Sequence, residues 1–323
     1  MSAHLGGGNL KNVHKLTEGA LCLAIFAVLI LMTIYIPVLG LVTSLFLAVP
    51  FILFAAKNTR LNSFVFLVGS ILMSIIVGSI LALPLTLFYG ITGLVIGQFI
   101  QEKKSRLSTF IAATLVFLTT LVVQYAIIVV FFKMNIIEEL FQVMRDSLDQ
   151  SAAMYEALGR NIDSSSLEQF EATIKIMESL IPSLFILTAL ACVILIELLS
   201  FPIIKRFGVV LQPKAPFKEL TLPKSILWYY LVTMFASIIF KPEVGDYWYF
   251  ALANLTFILQ FCMIVQGLAF IFYFCSKKGI PKAVPILAAV FTFFPPILLP
   301  IVRILGIIDI GFELRKRLEN KNR

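Results

Sequence analysis

The chain has 323 residues, of which 60% are hydrophobic and 14% are charged, and its net charge is +8. A water-soluble protein of this length cannot bury so much apolar surface, so the composition excludes a soluble globular fold. The basic charge is confined to short segments between apolar runs. We therefore expect the solvent of this protein to be the lipid bilayer, and we expect no nucleic acid partner.

Eight apolar runs approach the roughly 20 residues that a helix needs to cross a bilayer core. They cover residues 18–37, 41–56, 61–83, 84–101, 108–133, 180–204, 224–240 and 247–276. A ninth run, 283–312, contains Pro295, Pro296 and Pro300. Backbone polar groups in lipid must be paired within a helix, and no run alternates as a membrane β-strand does. We predict an all-α polytopic membrane protein with about 8 transmembrane helices plus a C-terminal proline-broken hydrophobic hairpin.

The charges predict the orientation of the chain. Of the 26 Lys and Arg residues, 20 lie in the N-terminal tail, in four short connections and in the C-terminal tail, whereas loop 134–178 carries nine acidic residues. By the positive-inside rule, the N-terminus is cytoplasmic and loop 134–178 is extracytoplasmic in the cell membrane. For the ninth run, two short helices would leave the C-terminus inside, whereas one kinked span would put it outside.

We expect three parts along the chain. Residues 1–133 and 180–204 form a six-helix membrane core, 134–179 form an extracytoplasmic amphipathic helical hairpin, and 205–323 form C-terminal membrane helices with a basic tail. Apolar residues recur at helical spacing around Phe141 and again around Phe170, with a turn-rich break at 159–166. The hairpin is either a plain connection or a docking platform, in which case Phe141 and Phe170 are candidate contacts for a partner.

The residue types exclude most catalytic sites. The two histidines, His4 and His14, lie in the N-terminal tail, and no zinc, nucleotide or serine-hydrolase motif is present. Each of the four cysteines falls within a predicted span and none forms a CxxC pair. We therefore expect that the protein is not an enzyme and that it uses no cofactor or metal.

Polar residues within apolar runs are costly in lipid and are therefore candidate ligand contacts. The candidates are Gln124, Tyr125, Glu197, Asn254, Gln260 and Arg303. Glu197 has a plainer interpretation, as an interfacial acid paired with a nearby Lys or Arg. At about 100° per residue, Asn254, Gln260 and Gln266 point to three different faces of their helix, so they cannot all line one pocket. Asp309 and Glu313 are expected to pair with Arg317.

Small residues form a narrow stripe in the first span. Ala20, Ala24 and Ala27 lie at helical spacing, and such a stripe allows close approach of another helix. The approaching helix belongs either to this chain or to another membrane protein.

Several motifs resemble the YybS-like family of uncharacterised bacterial integral membrane proteins. The motifs are LTEGAL at 16–21, YIP at 35–37, QGLA at 266–269, KKGIP at 277–281 and LGIIDIGF at 305–312. That family is in turn distantly similar to the S components of energy-coupling-factor transporters. The resemblance implies an S-component-like six-helix core, an outward-facing ligand site and the docking of a coupling subunit on Ala20 and Ala24.

Two functions follow from these observations. In the first, the protein binds a small solute at an outward-facing site, alone or as a transport component, and has a polar pocket near Gln124 and the hairpin. In the second, it is a scaffold or regulator that binds an envelope or membrane protein through the hairpin or the alanine stripe.

Overall fold

The computed structural model describes residues 6–158, 164–294 and 298–320. In these ranges, every regular element longer than three residues is an α-helix. This confirms the predicted all-α class. The helices are α1 (Gly6–Tyr35), α2 (Pro37–Ser44), α3 (Ala48–Lys57), α4 (Arg60–Gly78), α5 (Leu83–Gln101), α6 (Arg106–Phe132), α7 (Ile136–Ala157), α8 (Ser164–Ser179), α9 (Ile181–Arg206), α10 (Lys224–Phe240), α11 (Tyr247–Lys277), α12 (Ala283–Phe293), α13 (Leu299–Phe312) and α14 (Leu314–Asn320).

The helices match the predicted runs closely. Seven segments of the described chain are long and apolar enough to cross a membrane, and the second of them, Pro37–Lys57, combines α2 and α3. Helix α10 has only 17 residues, and it falls with α12 among the shorter apolar helices. The ninth run is two helices, as predicted. Pro295 and Pro296, and residues 159–163 of the predicted hairpin break, lie outside the described residues.

Polar side chains mark where several helices begin. The Thr59 side chain accepts a hydrogen bond from the backbone of Asn62 at the start of α4, and Ser105 accepts one from the backbone N–H of Ser108 at the start of α6. Such caps satisfy N–H groups that have no partner within the helix. Pro37 and Pro84 occupy first-turn positions of α2 and α5, where a missing N–H costs nothing.

The helices group into two compact units, of which the first contains Met1–Ile136 and Phe185–Pro213. Its core is a continuous cluster that includes Phe26, Phe51 and Phe117. Helices α3 and α5 approach closely because α5 carries glycine where they meet. A Cβ atom on Gly97 would lie 2.6 Å from the Ile52 carbonyl oxygen. The predicted six-helix region therefore packs around aromatic and aliphatic side chains.

The second unit contains Ile137–Leu184 and Lys214–Arg323, so the hairpin helices group with the C-terminal helices. Its closest helix pair is α11 with α13. A Cβ atom on Gly267 would lie 2.0 Å from the Val302 carbonyl oxygen, and one on Gly306 would lie 2.0 Å from the Met263 carbonyl oxygen. Glycine at both positions allows the two backbones to touch.

Candidate functional site

A cavity of about 380 Å³ in the second unit is the candidate site. We call it the α10–α11 cavity, because the end of α10, the connection after it and the first half of α11 supply most of its wall, and α8 supplies the rest. The lining residues are Ile176, Leu180, Ser237, Lys241, Pro242, Tyr249, Leu252, Ala253, Thr256, Phe257 and Gln260. The volume falls within the roughly 300–1,000 Å³ of small-molecule sites in proteins.

Helical periodicity explains which side chains reach the cavity. Tyr249, Ala253, Thr256 and Gln260 all line it, at successive spacings of four, three and four residues along α11. This is one face of an α-helix. The facing side of the cavity is formed by Ser237 and Lys241, four residues apart at the end of α10.

Four polar lining groups have no protein partner. The Lys241 ammonium, the Tyr249 hydroxyl, the Thr256 hydroxyl and the Gln260 amide make no hydrogen bond or ion pair with any residue that the structure describes. The Thr256 oxygen is also shielded from solvent. By contrast, Ser237 donates to the Thr233 carbonyl at 3.0 Å, so its oxygen remains available as an acceptor. The cavity therefore gathers unused donors and acceptors on an apolar wall.

The backbone places Lys241 at the rim. Helix α10 ends here, and Lys241 adopts a left-handed conformation with φ of +41°, while its N–H bonds to the Ser237 carbonyl. This ending turns the chain into the six-residue connection 241–246 that leads back to α11. Lys241 and Tyr249 consequently lie at the same end of the antiparallel pair.

The α8 wall is held to α11 by a predicted residue. Asn254 Nδ2 donates to the Ser179 carbonyl at 2.6 Å, and Asn254 Oδ1 accepts from the Ser183 backbone N–H at 3.0 Å. The Ser183 hydroxyl lies 2.7 Å from the same oxygen. A further ion pair, Arg145 with Glu178, joins α7 to α8. Asn254 is thus a support for the cavity and not part of its lining.

Asn254, Gln260 and Gln266 on α11 have three separate environments, as their spacing predicts. Gln260 lines the cavity, Asn254 bonds the end of α8, and Gln266 is fully buried at another position. Gln266 Nε2 donates to Asp309 Oδ2 at 2.6 Å, and Gln266 Oε1 accepts from the Leu222 N–H at 2.9 Å.

Arg315 completes this arrangement, which we call the Gln266–Asp309–Arg315 cluster. Arg315 Nε donates to Asp309 Oδ2 at 3.0 Å, and Arg315 Nη1 donates to the Lys218 carbonyl at 2.8 Å. The Arg315 guanidinium lies 5.2 Å from the centre of the Tyr273 ring. The predicted pairing of Asp309 and Glu313 with Arg317 is wrong. Helix α13 ends at Glu313, where φ is +49°, so the helical i to i+4 relation to Arg317 is broken. Glu313 instead pairs with Lys224 and Lys316.

Lysine contacts set the pKa of Glu313. Its carboxylate accepts hydrogen bonds from the Lys224 and Lys316 ammonium groups, which lower its pKa from 4.5 to about 2. Just beyond the end of α5, a comparable hydrogen bond from Arg60 lowers the pKa of Glu102. Both acids lie beyond the ends of their apolar helices, among basic residues.

The candidates Gln124 and Tyr125 in the first unit bond to neighbouring segments. Gln124 is 7% exposed, and its amide donates to the Pro84 carbonyl at 3.2 Å. The neighbouring Tyr125 donates to Asn135 Oδ1 at 2.9 Å. Its ring contacts Phe185 edge-on at 5.6 Å. These contacts join helices, and the pocket near Gln124 stays a prediction.

Glu197 has a basic neighbour, in agreement with its plainer interpretation. The Arg106 guanidinium is within electrostatic range of Glu197. The centre of the Arg106 guanidinium lies 3.9 Å from the centre of the Phe201 ring, and Arg106 Nε donates to the Gln212 carbonyl at 3.0 Å. Sequence reasoning missed Arg106 because it opens a helix within a basic loop.

The other candidates are scattered. Arg303 is half-buried on α13 and makes no ion pair or hydrogen bond within the described chain, so the expected acid or carbonyl partner is not found. Ala20 and Ala24 are exposed and Ala27 is half-buried, because α1 packs through Cys22, Phe26 and Ile30. Phe141 is buried and Phe170 is 59% exposed, so of these two only Phe170 is on the surface of its unit.

No metal site can be assembled from the described residues, since no three His, Cys, Asp or Glu side chains converge there. The site that the geometry does assemble is one for a ligand with polar groups. Sequence reasoning named Gln260 but missed Lys241, Tyr249 and Thr256. The signal that could have found Tyr249 and Thr256 was their shared helical face with Gln260.

Comparisons with known proteins agree on one family. Residues 24–310 match the model of the family described as "Predicted membrane protein (DUF2232)". The chain is 31% identical to "Uncharacterized protein YybS" of Bacillus subtilis (strain 168) over 318 residues, which cover 96% of this chain and 100% of that protein. No solved structure matches. Because the family model covers most of the chain and the relative covers nearly all of it, the chain belongs to the DUF2232 family of membrane proteins.

Proposed function

We propose that this protein binds a small solute in the α10–α11 cavity, as a receptor or as the solute-binding component of a transport system, and catalyses no reaction. One observation carries the proposal. Four polar groups without a protein partner converge on a single cavity of about 380 Å³. Among them, the Thr256 hydroxyl oxygen is shielded from solvent, and a buried polar group without a partner costs roughly 1–3 kcal/mol by protein mutational measurements. A bound solute supplies the missing partners.

The solute enters from the outer side of the membrane under this proposal. The basic residues near the Gln266–Asp309–Arg315 cluster, including Lys316 and Lys277, belong to segments that the positive-inside rule assigns to the cytoplasm. Helix α11 runs from Tyr247 to Lys277, so its cavity-lining half is the opposite half. The acidic hairpin helices are at this same outer half, where α8 supplies a wall.

The site differs in place from the one that the transporter resemblance implies. That resemblance puts the ligand in the six-helix core, where the structure has packed aromatic side chains. The α10–α11 cavity lies in the C-terminal helices instead. The proposed binding therefore rests on the cavity itself. The exposed Ala20 and Ala24 are candidate contacts for a coupling subunit, independently of the cavity.

A pair of tryptophan substitutions tests the proposal. Ala253 lines the cavity, whereas Ala251 lies two residues away on another face of the same helix. Ala253→Trp fills the space, and Ala251→Trp adds the same bulk elsewhere. The full-length protein is incubated with a small-molecule extract of bacterial cells, and bound masses are measured by native mass spectrometry.

We expect wild type and Ala251→Trp to retain the same bound small molecules and Ala253→Trp to lose them. The thermal unfolding of each variant is recorded in parallel, so that loss of binding is separated from loss of structure. Retention of the same masses by a folded Ala253→Trp contradicts the proposal. So does the absence of any bound mass on wild type.

One observation favours the second function, a scaffold. Helix α7 exposes Leu140, Val143, Met154 and Tyr155, although its other face buries Phe141. Exposed apolar side chains on a helix outside the membrane are typical of protein contacts. Photo-crosslinkers placed at Met154 and at Phe170 would each capture a partner if the hairpin were a docking platform. Capture at neither position contradicts this function without affecting the first.

A further inference from the structure

The polar groups of the α10–α11 cavity lie at its two ends. Tyr249 and Gln260 are eleven residues apart on α11, which at 1.5 Å per residue is about 16 Å along the helix axis. Lys241 lies at the Tyr249 end, and Thr256 lies toward the Gln260 end. The wall between them is apolar and includes Leu252, Ala253 and Phe257. A ligand that pairs with both ends must therefore be elongated.

The outer end of the cavity carries one ammonium group. Lys241 is the one charged side chain among the lining residues, and an ammonium group has three donors and no acceptor. The nearby acids are elsewhere. Glu168 and Glu171 line a neighbouring cavity on α8, and Glu243 and Asp246 of the 241–246 connection form no ion pair with Lys241. Within the lining, Lys241 therefore offers its ammonium group to an anionic group, while these acids lie outside the lining.

The inner end is neutral and polar. The Gln260 amide has donors and an acceptor, and the Thr256 hydroxyl has one donor and acceptor lone pairs. An acyl chain here would leave the shielded Thr256 hydroxyl without a partner and would cover the half-buried Gln260 amide, which is unfavourable. A ligand with a hydroxyl, carbonyl or amide group at its far end satisfies them. The inner end thus argues for a water-soluble molecule and against the tail of an anionic lipid.

We infer that the ligand class is a soluble, elongated organic anion, with a carboxylate or phosphate group at Lys241 and Tyr249 and an uncharged polar group at Thr256 and Gln260. This inference rests on the proposed function, since it names the class of solute that the same cavity binds. Lys241 and Gln260 are its two specificity-determining residues.

Four probes of matched chain length test the class, namely ω-hydroxyoctanoate, octanoate, octanediol and aminooctanol. The full-length protein is placed in nanodiscs of phosphatidylcholine, which carries no net charge, and binding is measured by isothermal titration calorimetry. We expect ω-hydroxyoctanoate to bind most tightly. We expect octanoate and octanediol each to bind about tenfold more weakly, because each lacks one hydrogen-bonded end, and aminooctanol to bind least.

Two substitutions assign the ends of the ligand. Lys241→Gln is expected to weaken ω-hydroxyoctanoate and octanoate about tenfold and to leave octanediol unchanged, since a charge-assisted hydrogen bond is lost only by the anions. Gln260→Leu is expected to weaken ω-hydroxyoctanoate and octanediol but not octanoate. Lys175→Gln, which changes a lysine of the neighbouring cavity, is the control and should leave all four affinities unchanged.

The outcomes separate this inference from the proposed function. Equal binding of aminooctanol and ω-hydroxyoctanoate would overturn the inference that the ligand is an anion. A Lys241→Gln variant that binds every probe as wild type does would overturn it too. Octanoate binding more tightly than ω-hydroxyoctanoate, or displacement of the probes by phosphatidylglycerol added to the nanodiscs, assigns the cavity to an anionic lipid. If none of the probes binds, the ligand class is rejected. The Ala253→Trp comparison still decides independently whether the cavity binds a solute.

Discussion

Gln266 and Asp309 are joined by a hydrogen bond of 2.6 Å inside the second unit, where their exposures are 0% and 4%. The bond connects α11 to α13, and Arg315 and the Leu222 N–H extend it to the segment before α10. An aspartate buried among apolar helices is strongly unfavourable unless it is paired. Here the carboxylate has both a cation and an amide donor, so the C-terminal helices are held together by a satisfied polar contact.

Asp309→Asn tests this contact. The substitution removes the negative charge but keeps the size of the side chain, and it leaves the largely buried Arg315 guanidinium without its ion-pair partner. We expect a loss of about 3 kcal/mol in the free energy of unfolding, in the range measured for broken buried pairs. The measurement is a denaturant titration in mild detergent.

Glu313→Gln is the matched control for this substitution. Glu313 also carries two ion-pair contacts, with Lys224 and Lys316, but its side chain is 35% exposed and both lysines are more exposed still. Exposed pairs contribute little to stability, so we expect almost no change. Equal destabilisation by the two variants would show that burial does not set the importance of the Gln266–Asp309–Arg315 cluster.

Gly306→Ala tests the close approach of α11 and α13. The added Cβ would lie 2.0 Å from the Met263 carbonyl oxygen, which belongs to a helix backbone and cannot rotate away. Overpacking of this kind typically costs about 1–3 kcal/mol. Gly311→Ala, in the same helix, is the control because its Cβ would meet only a Leu227 side-chain carbon at 3.4 Å. Thermal unfolding that ranks the two variants in the reverse order would contradict the helix crossing.

The ionisation of Glu313 gives a prediction for pH. Because the folded-state pKa is lowered to about 2, the carboxylate stays ionised well below its ordinary pKa of 4.5. The contribution of its lysine contacts, which solvent screening keeps small, is therefore complete above about pH 4.5 and is lost as the pH falls toward 2. Lys224→Gln should raise the pKa toward 4.5, as measured by carbon-detected NMR of labelled glutamate. An unchanged pKa in this variant would contradict the pairing.

The orientation of the hairpin is tested by labelling in whole cells. All four native cysteines lie within apolar helices, and Cys22 and Cys275 are buried. We therefore expect little background reaction of the native cysteines with an impermeant thiol reagent. Asp149→Cys, on α7, should react with a membrane-impermeant thiol reagent before lysis if the hairpin is outside. A cysteine at Lys278, in a predicted cytoplasmic connection, should react only after lysis. The reverse pattern would invert the orientation and close the outer route to the cavity.

The candidate site shows where prediction from sequence succeeded and where it did not. Gln260 was named because a polar residue deep in an apolar run is costly, and this rule holds for any structure in which the run crosses lipid. The same rule also named Gln124 and Asn254, whose amides bond to backbone carbonyls of other helices. Periodicity cannot separate an amide that joins helices from one that faces a cavity, because both lie on an inward face.

The apolar runs and the proline-broken end of the chain were predictable because they depend on local properties, namely hydrophobic length, charge at the boundaries and the missing N–H of proline. The all-α membrane class, the positions of most helices and the three faces of α11 follow from local patterns in the sequence. The pairing of Asp309 with Arg315 arises only when the helices pack, and so does the cavity at which Lys241 joins Tyr249, Thr256 and Gln260. These pairings depend on the directions that the chain takes after α10 and α13, where Lys241 and Glu313 have left-handed conformations, and on the close backbone approach at glycine. Such directions arise from contacts between segments far apart in the chain, which no local pattern records.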